Sequence, residues 1–457
     1  MNMSRLLCQV VLASLAATLA GPASAALRLS VTAATRSQVN PGAKGMPERT
    51  VDSEVLLGDT YLSRREGNIT VVYDFERRRR YVLDEAAKTF DEYSLFDTLG
   101  FRELELRNRA ALRKTIAATT PERKLPSELE DQHELSVQGA EAYPVEVRTE
   151  GADEVFASGD AILLRHGKEA TPVSPADAAR FVQYLRYTFS GYPAVLAALQ
   201  KEQAIPARIT YTFQPGWGTG TVELKIGAPR QADAPATFTL AGYAPRQPAG
   251  DAVTLDDMIE RAWAMRSALA TRAVRPNAET LAASLREQRP LDAFLTVTEY
   301  RVGGVAMPPL PDEQKQALQT DPDLRQLSTA LAAKTPEELR QAVTTLQGLR
   351  AQAAPARRYL LSLFEANDHV MLREAPAAAA LYLDVLRANP ALAGAYKDIG
   401  DFYFLRLDTQ RAWRSWTIAR ALAPLWPTLD SITARERTLA TRFPEYFELA
   451  PSAQKAP

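Results

Sequence analysis

The sequence is poor in the residues that hold metals and cofactors. Its 457 residues include 1 Cys and 3 His, at positions 133, 166 and 369, too few to suggest zinc, iron–sulfur or haem ligation. No charge of either sign dominates: 54 Lys and Arg face 55 Asp and Glu, a net charge of −1. That balance argues against a basic nucleic-acid-binding surface. Beyond residue 25 no run approaches the ~18 consecutive apolar residues of a membrane-spanning helix, so no transmembrane segment is expected. The chain has no phosphate-loop sequence G-x-x-x-x-G-K-[ST] and no nucleophile elbow G-x-S-x-G. Gly216-Trp217-Gly218-Thr219-Gly220 is glycine-rich, but Thr221–Ile226 after it reads as a strand. A phosphate cradle needs a helix N-terminus there, so the segment reads as a hairpin turn. No histidine accompanies a nucleophile motif, and His133 sits in an acidic stretch read as a loop. A non-catalytic protein with no cofactor and no metal is therefore expected.

An export signal comes first. Met1–Arg5 is a short positive start, Leu6–Ala20 is mostly apolar, and Ala23-Ser24-Ala25 is a small-x-small cleavage site. This order describes a secretory signal peptide cut after Ala25 and predicts a periplasmic protein. Cys8 leaves with the signal, so the mature chain has no thiol chemistry and no disulfide.

The mature chain changes period once. From residue 26 to 249 the pattern is mostly period two, as at Ile69, Val71, Tyr73 and Phe75, where alternate side chains share a strand face. Strands are predicted at 27–36, 54–65, 69–75, 81–83, 89–95, 134–139, 142–150, 154–158, 161–173, 207–214, 220–227 and 236–243. Helices are predicted at about 100–117, from Ser174-Pro175 onward, and at 193–203. Residues 244–251 read as a linker. The period then becomes 3.6, with helix starts at Thr254/Asp257 and Thr335-Pro336-Glu337-Glu338. Helices are predicted at 254–273, 277–288, 312–319, 323–333, 336–353, 355–371, 375–388, 391–405, 408–421 and 427–441, with a polar tail over 451–457. The fold class is α+β: an antiparallel curved sheet domain with a few helices over 26–249, then an all-α domain of helical hairpins (251–357) and repeats (358–450).

A 34-residue spacing is the most specific feature. It separates Ala378 from Ala412, Tyr382 from Trp416 and Pro390 from Pro424. The second unit carries Tyr396, Ile399, Gly400, Tyr403, Ala412, Trp416, Ala419 and Pro424, and this array resembles the tetratricopeptide repeat. Gly400 and Ala412 are small where two helices cross, and Tyr403 and Trp416 fill the gaps beside them. The first unit departs from the pattern, with Glu365 and Ala366 in place of the apolar-Gly pair. Residues 427–439 are expected to cap the open end. The resemblance implies a groove for a peptide or another protein, with Leu360, Leu363, Asn367, Val370, Lys397, Asp401 and Phe404 turned inward. Leu360 and Leu363 read equally well as core, and Lys397 with Asp401 as a surface ion pair.

The order of elements in the sheet half is similar in outline to periplasmic lipoprotein carriers of the Lol type. That likeness implies an apolar cavity for a lipid or lipoprotein, which Phe181, Tyr184, Tyr187, Phe189 and Tyr192 would line if they are not simply core. Arg77–Arg80, joined by Arg64 and Arg65, is the densest basic cluster; it reads as a solvated turn or as a contact for an anionic partner. Together these features point to a periplasmic adaptor that binds a protein or peptide through its helical half. The alternative is a carrier or sensor of an apolar ligand held by the sheet half.

Overall fold

The structure, a computed structural model, describes residues 23–40, 42, 45, 47–120, 126–214, 218–272, 278–305 and 312–449. Residues 1–22 of the expected signal peptide 1–25, Gly216-Trp217 and the expected tail 451–457 lie outside the described residues. The α+β class holds, a sheet domain followed by helices. The chain forms two compact units. One comprises the residues up to Pro245 together with those from Leu439 on; the other runs from Arg246 to Thr438. The expected boundaries at 249 and 450 therefore shift. The last described residues belong to the sheet unit, because their aromatic side chains find their partners there.

The sheet unit contains β1 (Ala23–Val39), β2 (Arg49–Leu57), β3 (Tyr61–Glu66), β4 (Ile69–Asp74), β5 (Arg79–Asp84), β6 (Thr89–Ser94), β7 (Glu146–Glu150), β8 (Asp153–Ser158), β9 (Ala161–Gly167), β10 (Ala170–Pro172), β11 (Ala204–Pro206), β12 (Arg208–Phe213), β13 (Gly218–Ile226), β14 (Arg230–Pro235) and β15 (Ala244–Pro245). Its helices are α1 (Leu95–Thr119), α2 (Glu128–Leu135), α3 (Pro175–Thr188) and α4 (Pro193–Lys201). Thirteen strands join one sheet in the order β15-β6-β5-β4-β3-β2-β1-β13-β12-β9-β8-β7, with β14 also on β1. All pairs are antiparallel except β15 on β6. The long β1 pairs with β2 along one side. Its other side meets β14 at Ala23–Arg28 and β13 at Val31–Val39.

Four expectations for this unit are corrected, one of them the predicted strand 161–173, which is β9 in the large sheet and β10 paired with β11. The predicted strand 54–65 is two strands, broken at Gly58-Asp59-Thr60. The predicted strand 134–139 begins inside α2, whose start is capped by the Ser127 hydroxyl accepting from the Glu130 amide. Residues 236–243 are not a strand. Their alternation instead presents Phe238, Leu240 and Tyr243 to a cluster of Tyr61, Val72, Tyr81 and Leu83 on one face of the sheet. The Thr60 hydroxyl donates to the Ala236 carbonyl at 2.7 Å and Arg77 donates to the Phe238 carbonyl at 2.8 Å, so sheet side chains hold the segment.

Tyr73 points to the other face, as its neighbour Val72 requires. There it meets Tyr187 of α3, with ring centroids 4.7 Å apart. The aromatic stripe Phe181, Tyr184, Tyr187 and Tyr192 is buried. Arg180 and Arg186 are buried with it, and burial pushes the Arg180 guanidinium down to about 10. Among the described residues neither is in contact with a carboxylate: Arg180 donates to the Gly58 carbonyl at 2.9 Å and lies over Phe75. Arg186 donates to the Glu445 carbonyl at 2.9 Å.

That carbonyl belongs to the returning C-terminal segment. Tyr446 is fully buried. Its hydroxyl donates to the Ser136 carbonyl at 2.7 Å and accepts from Arg102 at 2.9 Å. The Tyr187 hydroxyl donates to the Tyr446 carbonyl, and the Gln183 amide donates to the Glu448 carbonyl. Phe447 packs on Phe96, with Arg78 over its ring.

The helical unit contains α5 (Leu255–Arg272), α6 (Ala278–Arg286), α7 (Pro290–Val302), α8 (Asp312–Thr320), α9 (Pro322–Leu331), α10 (Pro336–Gln352), α11 (Arg358–Met371), α12 (Ala375–Ala388), α13 (Ala393–Leu405), α14 (Thr409–Leu422) and α15 (Asp430–Arg442), the last running on into the other unit. The expected capping box of α10 is present, with Thr335 and Glu338 each satisfying the other's backbone. Helix α7 has no counterpart in the sequence reading. Its residues Leu295–Tyr300 are buried without interruption, and a helix enclosed on all sides shows no amphipathic period.

Helices α11/α12 and α13/α14 form two successive pairs that repeat one internal contact. The Tyr382 hydroxyl donates to Asn367 at 2.6 Å, and the Trp416 indole donates to Asp401 at 3.1 Å. Both donors and both acceptors are 34 residues apart. Ala366 and Gly400 hold the equivalent small position. A Cβ on Gly400 would lie 2.2 Å from the Trp416 ring, which is only 2% exposed. Helix α15 packs over α14: Glu436 accepts from the Trp413 indole at 3.0 Å and pairs with Arg420 at 2.9 Å.

Replacing Gly400 with Val is expected to destabilise the helical unit by about 1–3 kcal/mol, because a close-packed crossing tolerates extra methyl groups poorly. Urea unfolding followed by tryptophan fluorescence measures it; an unchanged midpoint would show that the crossing can relax.

Candidate functional site

The seven residues expected to face a partner fall into three groups. Leu360 and Leu363 are core, 0% and 1% exposed. They lie on the buried side of α11 and cannot meet a ligand without unfolding it.

Asn367, Lys397 and Asp401 join a polar network between α11 and α13. Asn367 accepts from Tyr382 and donates to Asp398 at 2.9 Å. Lys397 pairs with Asp401 at 2.6 Å and reaches Asp398 at 3.8 Å. Burial raises the Asp398 carboxyl above its usual range. Burial also works against the Lys397 ammonium, but Asp401 and Asp398 outweigh it and its pKa is raised. Most of the hydrogen-bonding capacity here is spent internally, so the network registers one helix pair on the next. Phe404 is likewise engaged, against Trp413 and Trp416 and under the Arg435 guanidinium.

Val370 is different. With Met371, Arg373, Ala375, Phe402, Leu405 and Arg406 it lines an open hollow of about 550 Å³. The hollow lies at the C-terminal ends of α11 and α13, where each first helix turns into its second. Met371 and Leu405 are 66% and 68% exposed. A second hollow of about 570 Å³ shares Ala375, Phe402 and Arg406, and continues past Tyr403 to Asp256, Asp408 and Arg411. Arg411 pairs with Asp256 at 3.0 Å. Arg406 lies over the Phe402 ring at 5.4 Å. Among the described residues no carboxylate pairs with Arg373 or Arg406. The joined groove thus has an apolar floor and, at its rim, two cations without a carboxylate partner among the described residues. Met371 and Leu405 were missed in the sequence because they follow the last residues of the repeat pattern; an apolar residue just beyond a helix's buried face was the available signal.

The other candidates are accounted for structurally. Arg77 pairs with Asp74, Arg79 with Glu92 and Arg80 with Asp97, while Arg78 lies over Phe96 and Phe447. The basic cluster is therefore tied into the sheet unit by these partners, although Arg77 and Arg78 remain exposed. A smaller hollow of about 320 Å³ in that unit is lined by His133, Phe189, Phe213 and Val222, with Glu130 and Glu134 also on its wall. His133 belongs to α2, not to a loop, and is 1% exposed. Its Nδ1 accepts from the Tyr192 amide at 2.8 Å and its ring lies 4.8 Å from that of Phe213. Burial holds its pKa down to about 4, so the ring is neutral at pH 7 and acts as a core acceptor. Among the described residues no helix is long and apolar enough to cross a membrane.

The sequence matches no protein-family model, and no curated protein matches it.

The depressed His133 pKa makes the sheet unit sensitive to acid. Below about pH 6.5 the unfolded chain binds a proton that the folded chain refuses until about pH 4. The stabilisation from neutral His133 is thus whole above the unfolded pKa and lost as pH falls through this window. The stability gap between wild type and His133→Asn, which keeps an acceptor but does not titrate, is expected to shrink by about 2 kcal/mol between pH 7 and pH 4.5. Urea titrations at the two pH values test this; a gap independent of pH would contradict it.

Proposed function

We propose that this is an exported, non-catalytic protein of the cell envelope that binds a peptide segment of a protein partner through its helical unit, as an adaptor or scaffold. The observation that carries the reading is the groove between α11, α12 and α13. Its apolar floor of Phe402, Leu405 and Met371 sits beside Arg373 and Arg406, which have no carboxylate partner among the described residues. Such a surface suits a segment that carries a large apolar side chain next to Asp or Glu. Burial of the apolar anchor supplies affinity and the arginines set direction. The 34-residue repetition of helix pairs, with its likeness to tetratricopeptide repeats, supports the same reading. Periplasmic location rests on the N-terminal signal, and cleavage after Ala25 leaves Ala26–Arg28 to pair with β14.

A second reading, carriage of an apolar ligand by the sheet unit, draws on the hollow beside Phe189 and Phe213. At about 320 Å³ it lies at the small end of the ~300–1,000 Å³ typical of small-molecule sites. Native mass spectrometry of the mature protein, purified without detergent, separates the two readings: a bound lipid-sized mass lost on denaturation would favour carriage.

Panning the full mature chain against a random peptide library is expected to enrich sequences that pair a large apolar residue with acidic neighbours. Substituting Met371→Glu and Leu405→Glu together, both at exposed positions, is expected to weaken those peptides at least tenfold, about 1.4 kcal/mol. Peptides whose affinity is unchanged in that variant would place the binding surface elsewhere and overturn the assignment.

A further inference from the structure

The sheet unit gathers Glu154, His166 and Glu202 around one point. Glu154 of β8 and His166 of β9 are direct partners in the antiparallel ladder, so their side chains share a face. Glu202 arrives from the end of α4. One ligand atom from each residue lies within 4.8 Å of the others. The His166 side chain is 4% exposed. Its Nδ1 lies 3.0 Å from the Gly167 carbonyl, to which it donates, so that Nε2, in hydrogen-bond contact with Glu202, faces the two glutamates and is the atom a neutral ring would offer to an ion. Nε2 lies 3.2 Å from Glu202 and 3.7 Å from Glu154.

We propose that Glu154, His166 and Glu202 bind a divalent transition-metal ion, zinc above all, as a three-ligand clip between the β8–β9 hairpin and the end of α4. Two observations support this independently. The first is geometric: a tetrahedral ion about 2.0–2.2 Å from each donor needs donors about 3.4 Å apart, close to the two separations from Nε2. The second is charge. No Lys or Arg pairs with Glu154 or Glu202 among the described residues, since Arg208 is turned to Asp153 and Arg165 to Glu150. A proton on His166 leaves the trio at net −1, whereas a divalent ion with neutral imidazole brings it to zero. The glutamate side chains are 37% and 27% exposed, which leaves an approach for the ion and for water as a fourth ligand. Three histidines scattered over the sequence carry no metal spacing; the register of β8 on β9 creates this one.

The test is calorimetric titration of the full mature chain, free of any polyhistidine tag, with zinc chloride at pH 7, and with cobalt(II) as an optical probe. One equivalent is expected to bind, with the intense visible absorption of a four-coordinate cobalt site. Glu202→Gln, at a partly exposed position where folding is not at risk, is expected to weaken zinc at least tenfold. His166→Gln is expected to abolish the cobalt band. Absence of one-equivalent binding, or binding that survives Glu202→Gln with unchanged affinity, would overturn the proposal.

Discussion

The buried arginines of α3 are the constraint on which the sheet unit depends. Arg180 and Arg186 are taken out of water without a carboxylate in contact among the described residues, which is costly unless their donors find other partners. Arg180 is met by the Gly58 and Asp59 carbonyls of the β2–β3 turn and by the Gln183 amide oxygen, and Arg186 by the Glu445 carbonyl, although the Arg186 Nε is buried without a hydrogen-bond partner among the described residues. The final described residues are therefore part of the sheet unit's interior chemistry. If they left, Arg186 and Gln183 would lose carbonyl acceptors and the pocket around Tyr446 would open beside Tyr187. The helical unit is a segment of chain inserted between the two pieces of this unit, and truncation after the repeats removes part of the sheet unit's core.

Within the helical unit the same requirement applies to neutral donors, a phenol and an indole. Each crossing needs a small residue, Ala366 or Gly400, so that an aromatic from the second helix can lie close. The polar edge of that aromatic then needs an acceptor on the first helix, and positions 367 and 401, each 15 residues earlier in the chain, supply it. Burying the indole and phenol without those acceptors would cost about 1–3 kcal/mol each. This explains why residues that look like a polar groove are held inward, and why the accessible apolar surface lies instead at the turns between first and second helices. Met371 and Leu405 are exposed there because the helices end before the core can cover them.

The candidate metal clip and the candidate peptide groove lie in different units and use different chemistry. One gathers carboxylates around an imidazole through strand register; the other leaves arginines over an apolar floor. Neither requires the other, and a structural ion in the sheet unit is compatible with a non-catalytic role.

Period alone was enough to read the division into a strand-rich and a helix-rich part, the helix starts at Thr254 and Thr335, and the 34-residue repeat, since these depend on neighbours in the chain. Elements that depend on distant partners were illegible. Helix α7 is buried all round and has no polar face to reveal it. Residues 236–243 alternate like a strand, yet they cover a sheet face because Thr60 and Arg77 hold their carbonyls. His133 looked like a loop residue and is a neutral core acceptor, since only the folded chain places the Tyr192 amide against it. Leu360 and Leu363 could be assigned to core or groove only once the preceding helices were in place. Glu154 and Glu202 became neighbours of His166 only through sheet register and the end of α4. Local pattern reports what a segment prefers, whereas burial, pairing and ligation are set by which segments meet.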